Sequence, residues 1–164
     1  MKIAVSTDHA GFKELIPVKE FLLELGHECL DFGPKVFDAN DDYPDYILPA
    51  ARAVSSGKCE RGIILGGSGQ GEAIVANRIK GVRAALFYSQ ALPKGVIDIE
   101  NNTSNDPYEI IRLSREHNNT NVLSLSSRFL SLEEMKTAIN IWLSTPFSDY
   151  QRHARRINKI DGNN

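Results

Sequence analysis

The chain has 164 residues, a formal net charge of −2, and a composition that is 41% hydrophobic and 24% charged. This length suits one domain with its own core, and the composition is typical of a water-soluble globular protein. The weak negative charge argues against nucleic-acid binding, and no apolar run is long enough to cross a bilayer. The two cysteines, Cys29 and Cys59, predict neither a disulfide framework nor a metal motif, and no signal-peptide pattern is present. We therefore expect a cytoplasmic protein.

Strand-like and helix-like patterns alternate along the first part of the chain. An apolar run over residues 2–7 predicts a strand, and apolar residues at helical spacing over residues 12–25 predict a helix that ends at Gly26. Pro17 lies inside this pattern, so the helix is expected to kink or to begin late. The next elements are predicted to be a strand, a helix and a third strand, over residues 29–32, 46–56 and 62–65.

A glycine-rich loop follows the third strand, with the sequence Gly66-Gly67-Ser68-Gly69-Gln70-Gly71. The apolar residues from Ala73 onward predict a helix directly after it. A strand that leads through glycines into a helix can bind an anion, because backbone N–H groups converge there and the helix dipole adds positive potential. A carboxylate beside such a site is costly unless it moves a proton, so Glu72 is predicted to be an acid–base residue.

Two common glycine motifs are excluded at this loop. A P-loop requires Lys followed by Ser or Thr after the last glycine, whereas Glu72-Ala73 stands there. The dinucleotide-binding fingerprint read from Gly67 requires a small residue in the sixth place, which Glu72 occupies, and it normally follows the first strand. A plain glycine turn, with Glu72 merely at the start of a helix, remains the structural alternative.

The second half of the chain continues the alternation after one irregular stretch. A fourth strand is predicted over residues 82–87, and residues 90–106 are polar and lack periodicity. Asp106-Pro107 and Glu109 predict an N-cap, a proline at the first helical position and a capping-box glutamate, for a helix that runs towards His117. The pattern ends with a fifth strand, a helix that begins with a second capping box, and a basic helix, over residues 121–125, 131–144 and 149–160.

Five alternations of strand and helix predict an α/β protein, with a three-layer α/β/α arrangement around a five-stranded parallel, Rossmann-like sheet. One domain is expected over residues 1–164. Ligands of such sheets bind beyond the carboxyl ends of the strands. This rule brings three groups to one edge of the sheet, namely Asp8 and His9, the loop of residues 67–72, and Ser126, Ser127 and Arg128.

Several polar residues have both a functional and a plain structural interpretation. Asp8 and His9 are either an acid–imidazole pair or a capping aspartate beside an exposed histidine, and His117 is either functional or a favourable charge at a helix C-terminus. Arg152 and Arg156 share one helical face, where they either grip a dianion or complement the helix dipole. Together with the glycine loop and its carboxylate, these groups suit proton transfer next to the carbonyl of a small phosphorylated substrate, with no metal-ligand spacing.

Six short motifs follow one another along nearly the whole chain. They are Asp8-His9-Ala10-Gly11-Phe12-Lys13, Asp42-Tyr43-Pro44-Asp45-Tyr46, Gly67-Ser68-Gly69-Gln70-Gly71-Glu72, Ala76-Asn77-Arg78, Arg115-Glu116-His117-Asn118-Asn119 and Arg152-His153-Ala154-Arg155-Arg156. In this order they resemble the ribose-5-phosphate isomerase B family, which also includes galactose-6-phosphate isomerase subunits. Each motif alone is weak, and their order makes the resemblance specific.

The resemblance implies an isomerase that interconverts D-ribose 5-phosphate and D-ribulose 5-phosphate through a cis-enediolate, in the pentose phosphate pathway, without metal or organic cofactor. One branch of the family uses a cysteine just before the glycine turn as the base. Gly66 stands there, so this chain resembles the branch in which Glu72 takes the proton.

The family pattern also implies roles for other residues and an assembly. His117 would assist opening of the sugar ring, with Asp8 nearby. Substrate would be bound by His9, Tyr43, Gly67, Ser68, Gly69, Gln70, Gly71, Asn118, Arg128, Arg152 and Arg156. Family members are dimers or tetramers with the site at a subunit interface, so a homodimer or homotetramer is expected, with no nucleic-acid or membrane partner.

One segment departs from the family pattern. Between Ser89 and Arg115 the chain carries extra residues, roughly 92–108, and this insert is long for a connection in a compact α/β unit. It is expected to cover the pocket mouth, alter substrate choice or extend a subunit contact. Two rival functions stay open: isomerisation of a six-carbon sugar phosphate of the galactose or allose 6-phosphate type, and a non-catalytic sugar-phosphate binding protein on the same fold.

Overall fold

The computed structural model describes residues 1–162, which form one five-stranded sheet. In chain order the strands are β1 (Lys2–Ser6), β2 (Glu28–Asp31), β3 (Arg61–Gly66), β4 (Ala84–Phe87) and β5 (Val122–Ser126). Their order across the sheet is β2-β1-β3-β5-β4, and every neighbouring pair is parallel. The predicted five-stranded parallel sheet is therefore confirmed.

Helices cover both faces of the sheet. They are α1 (Leu15–Glu24), α2 (Tyr43–Ser55), α3 (Gln70–Ala76), α4 (Glu109–Asn118), α5 (Leu132–Ser144) and α6 (Gln151–Ile160), with a short 3₁₀ turn over His9–Gly11. Successive strand residues point to opposite faces, so Ile3 and Val5 pack in one apolar core with α1, α4 and α5, while Ala4 packs in a second core with α2 and α3. This division confirms the predicted three layers.

Three helix starts show how far local sequence signals reach. α1 begins late, as expected, and Pro17 occupies its third position, where a backbone N–H has no helical partner in any case. α2 begins at Tyr43, three residues earlier than predicted, because Pro44 is tolerated in the first turn. The capping box predicted at Ser131 is confirmed, since its side chain and that of Glu134 exchange hydrogen bonds with the backbone.

The capping box predicted at Asp106 and Glu109 is wrong. Asp106 instead accepts a hydrogen bond from the Tyr108 N–H at 2.8 Å, in a turn that precedes α4. Glu109 is the first residue of the helix, and its carboxylate accepts a hydrogen bond from Ser104 Oγ at 2.7 Å. Both side chains therefore close the insert onto the helix start rather than cap the helix.

The insert over residues 92–108 contains neither helix nor strand. Its ends are joined by a hydrogen bond from the Ala91 N–H to the Pro107 carbonyl at 3.1 Å, and its tip by one from the Ile97 N–H to the Asn102 carbonyl at 2.8 Å. The insert is thus a closed loop between β4 and α4. None of the helices within residues 1–162 is both long and apolar enough to span a membrane.

Candidate active site

The glycine loop is tied to β5 through its carbonyl oxygens. Two serine hydroxyls of β5 donate to them, Ser126 to Gly67 at 2.7 Å and Ser124 to Gly69 at 2.6 Å, and the Ser127 N–H just after β5 donates to the Gly66 carbonyl at 2.8 Å. The C=O and N–H of a trans peptide point in opposite directions, so the N–H groups of Gly67, Ser68 and Gln70 point away from β5, and that of Gln70 donates to Ser68 Oγ at 3.3 Å. A backbone anion site needs donors that face away from the sheet in this way. The only signal for Ser124 in the sequence is a polar residue within an apolar strand.

Glu72 lies in the first turn of α3 and is only 4% exposed. Burial raises the pKa of its carboxyl group, and the charge of Asp8 raises it further. A β-carbon placed on Gly66 would overlap the Glu72 carboxyl group. The absence of a side chain at position 66 therefore makes room for the carboxylate at the carboxyl end of β3.

Asp8 and His9 follow β1 and lie near this carboxylate, as the order of the elements predicted. Asp8 is 4% exposed and accepts a hydrogen bond from the Ala10 N–H at 2.9 Å. His9 binds Asp41 twice, with its backbone N–H at 3.1 Å and its Nδ1 at 2.7 Å from the same carboxylate oxygen. This hydrogen bond is the main reason why the pKa of His9 is raised. Sequence reasoning missed Asp41, whose only signal is its place before the Asp42-Tyr43-Pro44 motif.

The same three residues, Asp8, His9 and Asp41, bring two oxygens and one nitrogen within 4.8 Å of one another, a donor set that a divalent metal ion can use. Within the group, however, the imidazole Nδ1 is already bonded to Asp41, and one Asp8 oxygen is bonded to a backbone N–H. The His9–Asp41 hydrogen bond therefore explains the proximity of two of the three residues, whereas Asp8 Oδ2 lies 3.7 Å from His9 Nδ1 and Asp41 Oδ2 is buried without a partner among residues 1–162.

Tyr43 and Arg128 contact the glycine loop directly. A β-carbon on Gly71 would lie 2.9 Å from Tyr43 Cζ, and one on Gly67 would lie 3.1 Å from Arg128 Cζ, so glycine at both positions lets these side chains approach. The positive charge of Arg128 also reaches His9, where it opposes the rise in pKa. We call Asp8, His9, Tyr43, residues 67–72 and Arg128 the glycine-loop cluster.

A second group of predicted residues lies where α4 and α6 meet. His117, Arg152, His153 and Arg156 line a cavity of about 260 Å³, and we call them the helix-end cluster. The insert supplies the other wall of the cavity, with Val96, Ile97, Asp98 and Ile99. Sequence reasoning assigned no role to His153 and left open what the insert covers.

Two predicted substrate-binding residues, Asn118 and Gln70 of the glycine-loop cluster, line cavities other than the helix-end cavity. Asn118 lines a separate cavity of about 450 Å³ with Arg83, which donates from Nε to the Asn118 carbonyl at 3.1 Å. Gln70 lines a groove of about 730 Å³ between α3 and β4, with Ile74 and Tyr88. Within one chain, neither residue reaches the helix-end cavity.

The end of α4 is held by a buried cation. Arg115 is 3% exposed and donates to the Thr145 carbonyl at 3.2 Å and to Asn119 Oδ1 at 2.8 Å. Burial, with the nearby charges of Arg61 and Arg83, lowers the pKa of Arg115 to about 10. Arg115 therefore fixes the helix turn that presents His117.

The two clusters lie at opposite ends of the sheet within one chain. α4 connects the parallel strands β4 and β5, so it runs against them and ends at the amino end of β5. The glycine-loop cluster follows the carboxyl ends instead. β5 has five residues, which at ~3.3 Å per residue separates the ends by roughly 15 Å. One chain alone does not bring Glu72 and His117 together.

A buried carboxylate on a glycine loop, with histidines and arginines at separate helix ends, fits the class of sugar-phosphate isomerases. The family model described as Ribose/Galactose Isomerase matches residues 3–104 and 97–160, two segments that overlap inside the insert. The chain belongs to this family.

Known members of the family match this chain almost end to end. Ribose-5-phosphate isomerase B of Escherichia coli is 34% identical over 97% of this chain and 93% of its own length, and that of Mycobacterium leprae is 34% identical over 96% and 86%. A Clostridium thermocellum structure superposes with a TM-score of 0.83 at 35% identity, over 99% of this chain and 96% of that one. A Mycoplasma genitalium structure with bound ribulose-5-phosphate has a TM-score of 0.82 at 34% identity, over 98% and 94%. The expected family and fold are confirmed, and the chain is an isomerase.

Proposed function

We propose that this isomerase interconverts D-ribose 5-phosphate and D-ribulose 5-phosphate, with Glu72 as the base that moves a proton between C1 and C2. The observation that carries the proposal is the position of the Glu72 carboxyl group, which fills the space beside Gly66 that a side chain would need. In the other branch of the family, the base stands at that position. Burial raises the pKa of Glu72, and a carboxylate with a raised pKa is a stronger base for a carbon acid.

The remaining residues of both clusters, together with Asn118, stabilise the enediolate, assist ring opening or bind the substrate. The N–H groups of residues 67–71 stabilise the oxygens of the cis-enediolate, because donors fixed before the reaction need no reorganisation. Asp8 and His117 assist ring opening. His9, Tyr43, Asn118 and the arginines at positions 128, 152 and 156 hold the substrate, chiefly its phosphate. Nothing in this scheme requires a metal or an organic cofactor.

A complete site on this scheme needs two copies of the chain. The glycine-loop cluster holds the proposed base, and the helix-end cluster holds His117 and two of the arginines. Roughly 15 Å of sheet lies between the two clusters in one chain. We infer a homodimer or homotetramer in which the helix-end cluster of one copy faces the glycine-loop cluster of another. The groove between α3 and β4 supports such a contact, since Ile74 and Tyr88 are 66% and 48% exposed there. The reaction belongs to the pentose phosphate pathway, and we place it in the cytoplasm.

The decisive experiment is incubation with ribose 5-phosphate in D₂O, followed by NMR. An enediolate exchanges its proton with the base, so deuterium should appear at C2 of the aldose or C1 of the ketose. Glu72→Gln should slow that exchange by about 10²–10⁴. If neither compound gains deuterium and no ketose forms, the proposed reaction is wrong, and a sugar-phosphate binding protein becomes the better description.

The insert favours one second candidate, isomerisation of a six-carbon sugar phosphate. Residues 96–99 line the same cavity as His117 and the two arginines, so they are placed to change the shape of the substrate site. Comparison of kcat/KM for ribose 5-phosphate with kcat/KM for allose and galactose 6-phosphates decides between the two. A higher value for a six-carbon compound would replace the five-carbon assignment.

A further inference from the structure

His153 is buried in the helix-end cluster between two residues that the proposed function uses. It is 2% exposed, and its ring centroid lies 4.3 Å from that of His117. Its Nε2 accepts a hydrogen bond from Arg152 Nε at 2.9 Å, and its Nδ1 lies 2.9 Å from Ser148 Oγ. One side chain thus contacts both a phosphate-binding candidate and the ring-opening candidate.

The hydrogen bonds fix the protonation state of this imidazole. A guanidinium group can only donate, so Nε2 of His153 must be the unprotonated acceptor, and the ring proton lies on Nδ1. Nδ1 then donates to Ser148 Oγ, which donates in turn to the Glu116 carbonyl at 2.6 Å. Glu116 precedes His117, so the chain of hydrogen bonds ends on the backbone beside the second ring.

We propose that His153 is a positioning residue for the isomerase reaction, which orients the Arg152 guanidinium towards the substrate phosphate and packs the His117 ring. The proposal rests on the proposed function, in which Arg152 and His117 touch the substrate and His153 does not. Burial, with the charges of His117, Arg152 and Arg156, lowers the pKa of His153 and so keeps the neutral acceptor form in place.

Two substitutions separate the two contacts. His153→Phe keeps an aromatic ring against His117 but removes the acceptor for Arg152, so KM for the sugar phosphate should rise roughly tenfold while kcat stays within about twofold. His153→Gln keeps an acceptor for Arg152 but removes the ring, so kcat should fall roughly tenfold while KM changes little. Asn158→Ala, an exposed substitution on α6, is the control for the helix and should change neither constant.

Binding of inorganic phosphate, measured by calorimetry, gives a readout that does not depend on turnover. His153→Phe should weaken it and His153→Gln should preserve it. If both variants lower kcat and affinity together, in proportion to a fall in Tm, or if neither variant changes anything, the positioning role is overturned. If His153→Phe weakens phosphate binding and His153→Gln preserves it, but the wild-type chain isomerises no sugar phosphate, the proposed function fails. The role of His153 in orienting Arg152 would then still be supported.

Discussion

The glycine-loop cluster and the helix-end cluster differ in how their functional groups are held. Glu72 and Asp8 are each 4% exposed, and the loop beside them is tied to the neighbouring strand β5 by two serine hydroxyls. Arg156 instead stands exposed on a helix at the edge of the molecule. A proton transfer needs a fixed, dry carboxylate, whereas an anion can be gripped by long side chains that reach out from a surface.

This difference predicts a division of kinetic effects. Removal of the Glu72 carboxylate should lower kcat, because it removes an interaction made in the transition state. Removal of Arg152 or Arg156 should raise KM, because phosphate binding is the same in the ground state and the transition state. Four substitutions test this division: two should follow it, and two should be exceptions to it.

Glu72→Gln should have the largest effect. Removal of a general base typically lowers the rate by about 10²–10⁴, so kcat should fall by that factor with a modest change in KM, as measured in a coupled assay. Glu133→Gln is the matched control, since Glu133 also stands in the first turn of a helix but its side chain is 82% exposed. Turnover near that of the wild type would remove Glu72 from the role.

The pH profile of the wild-type enzyme gives the same residue a second test. Proton abstraction requires the ionised carboxylate, and burial raises the pKa of Glu72. The acid limb of kcat/KM, which reports the free enzyme, should therefore lie above the ordinary glutamate range, with activity lost as the pH falls through the raised pKa. An acid limb at or below that range would contradict the assignment.

Arg156→Ala should raise KM by about 10- to 150-fold and leave kcat nearly unchanged, because each charged hydrogen bond contributes roughly 1.5–3 kcal/mol to binding. Steady-state kinetics on ribose 5-phosphate measure both constants. Arg155→Ala is the matched control, because Arg155 is the exposed neighbour on α6 and does not line the cavity. Equal effects of the two substitutions would show that only the net charge of α6 matters.

Asp41→Asn should be an exception to this division. Asp41 lies beside the glycine-loop cluster, but its substitution should change KM. The Asp41 carboxylate raises the pKa of His9, so the imidazole that we propose binds the phosphate stays protonated to higher pH. Without that charge, KM should rise roughly three- to tenfold near pH 8 and much less near pH 5.5, where His9 is protonated in both proteins. A KM increase that is independent of pH would exclude this explanation.

Asp98→Asn should have the smallest effect and, unlike the changes to the helix-end arginines, should lower KM. Hydrogen bonds from Asn102 and the charge of Arg152 lower the pKa of Asp98, so the insert places an ionised carboxylate in the cavity with the arginines. Its removal should lower KM by roughly two- to fivefold, because a like charge no longer opposes the phosphate. Glu100→Gln, the same charge change in the same loop, should have no effect. A rise in KM would instead make Asp98 a substrate ligand.

Local patterns predict the sheet and the glycine-loop cluster because parallel strands all end at one edge. Given that edge, Asp8, His9, Glu72 and Arg128 converge through chain order alone. The capping box at Ser131 is likewise a property of four consecutive residues, and it was predicted correctly. At Asp106 the same local logic failed, because long-range closure of the insert decides where α4 begins.

The residues that sequence reasoning missed all act across the fold. Asp41 reaches His9 from a loop 32 positions away, and Ser124 reaches Gly69 across 55 positions. His153 lies next to Arg152 in the chain, but its contact with His117 depends on the packing of α6 against α4. No periodicity or spacing encodes such contacts, and only the folded chain shows which face of the insert meets the helix ends.

The absence of a side chain at Gly66 also has a consequence for the enzyme's tolerance of oxidants. With Glu72 as the proposed base and Gly66 at the end of β3, the proposed mechanism uses no sulfur that peroxide or an alkylating reagent could attack. Cys29 and Cys59 lie on β2 and just before β3, and burial raises the pKa of both thiols, which keeps them protonated and slow to react. Conditions that would silence a cysteine-dependent relative should leave this enzyme turning over.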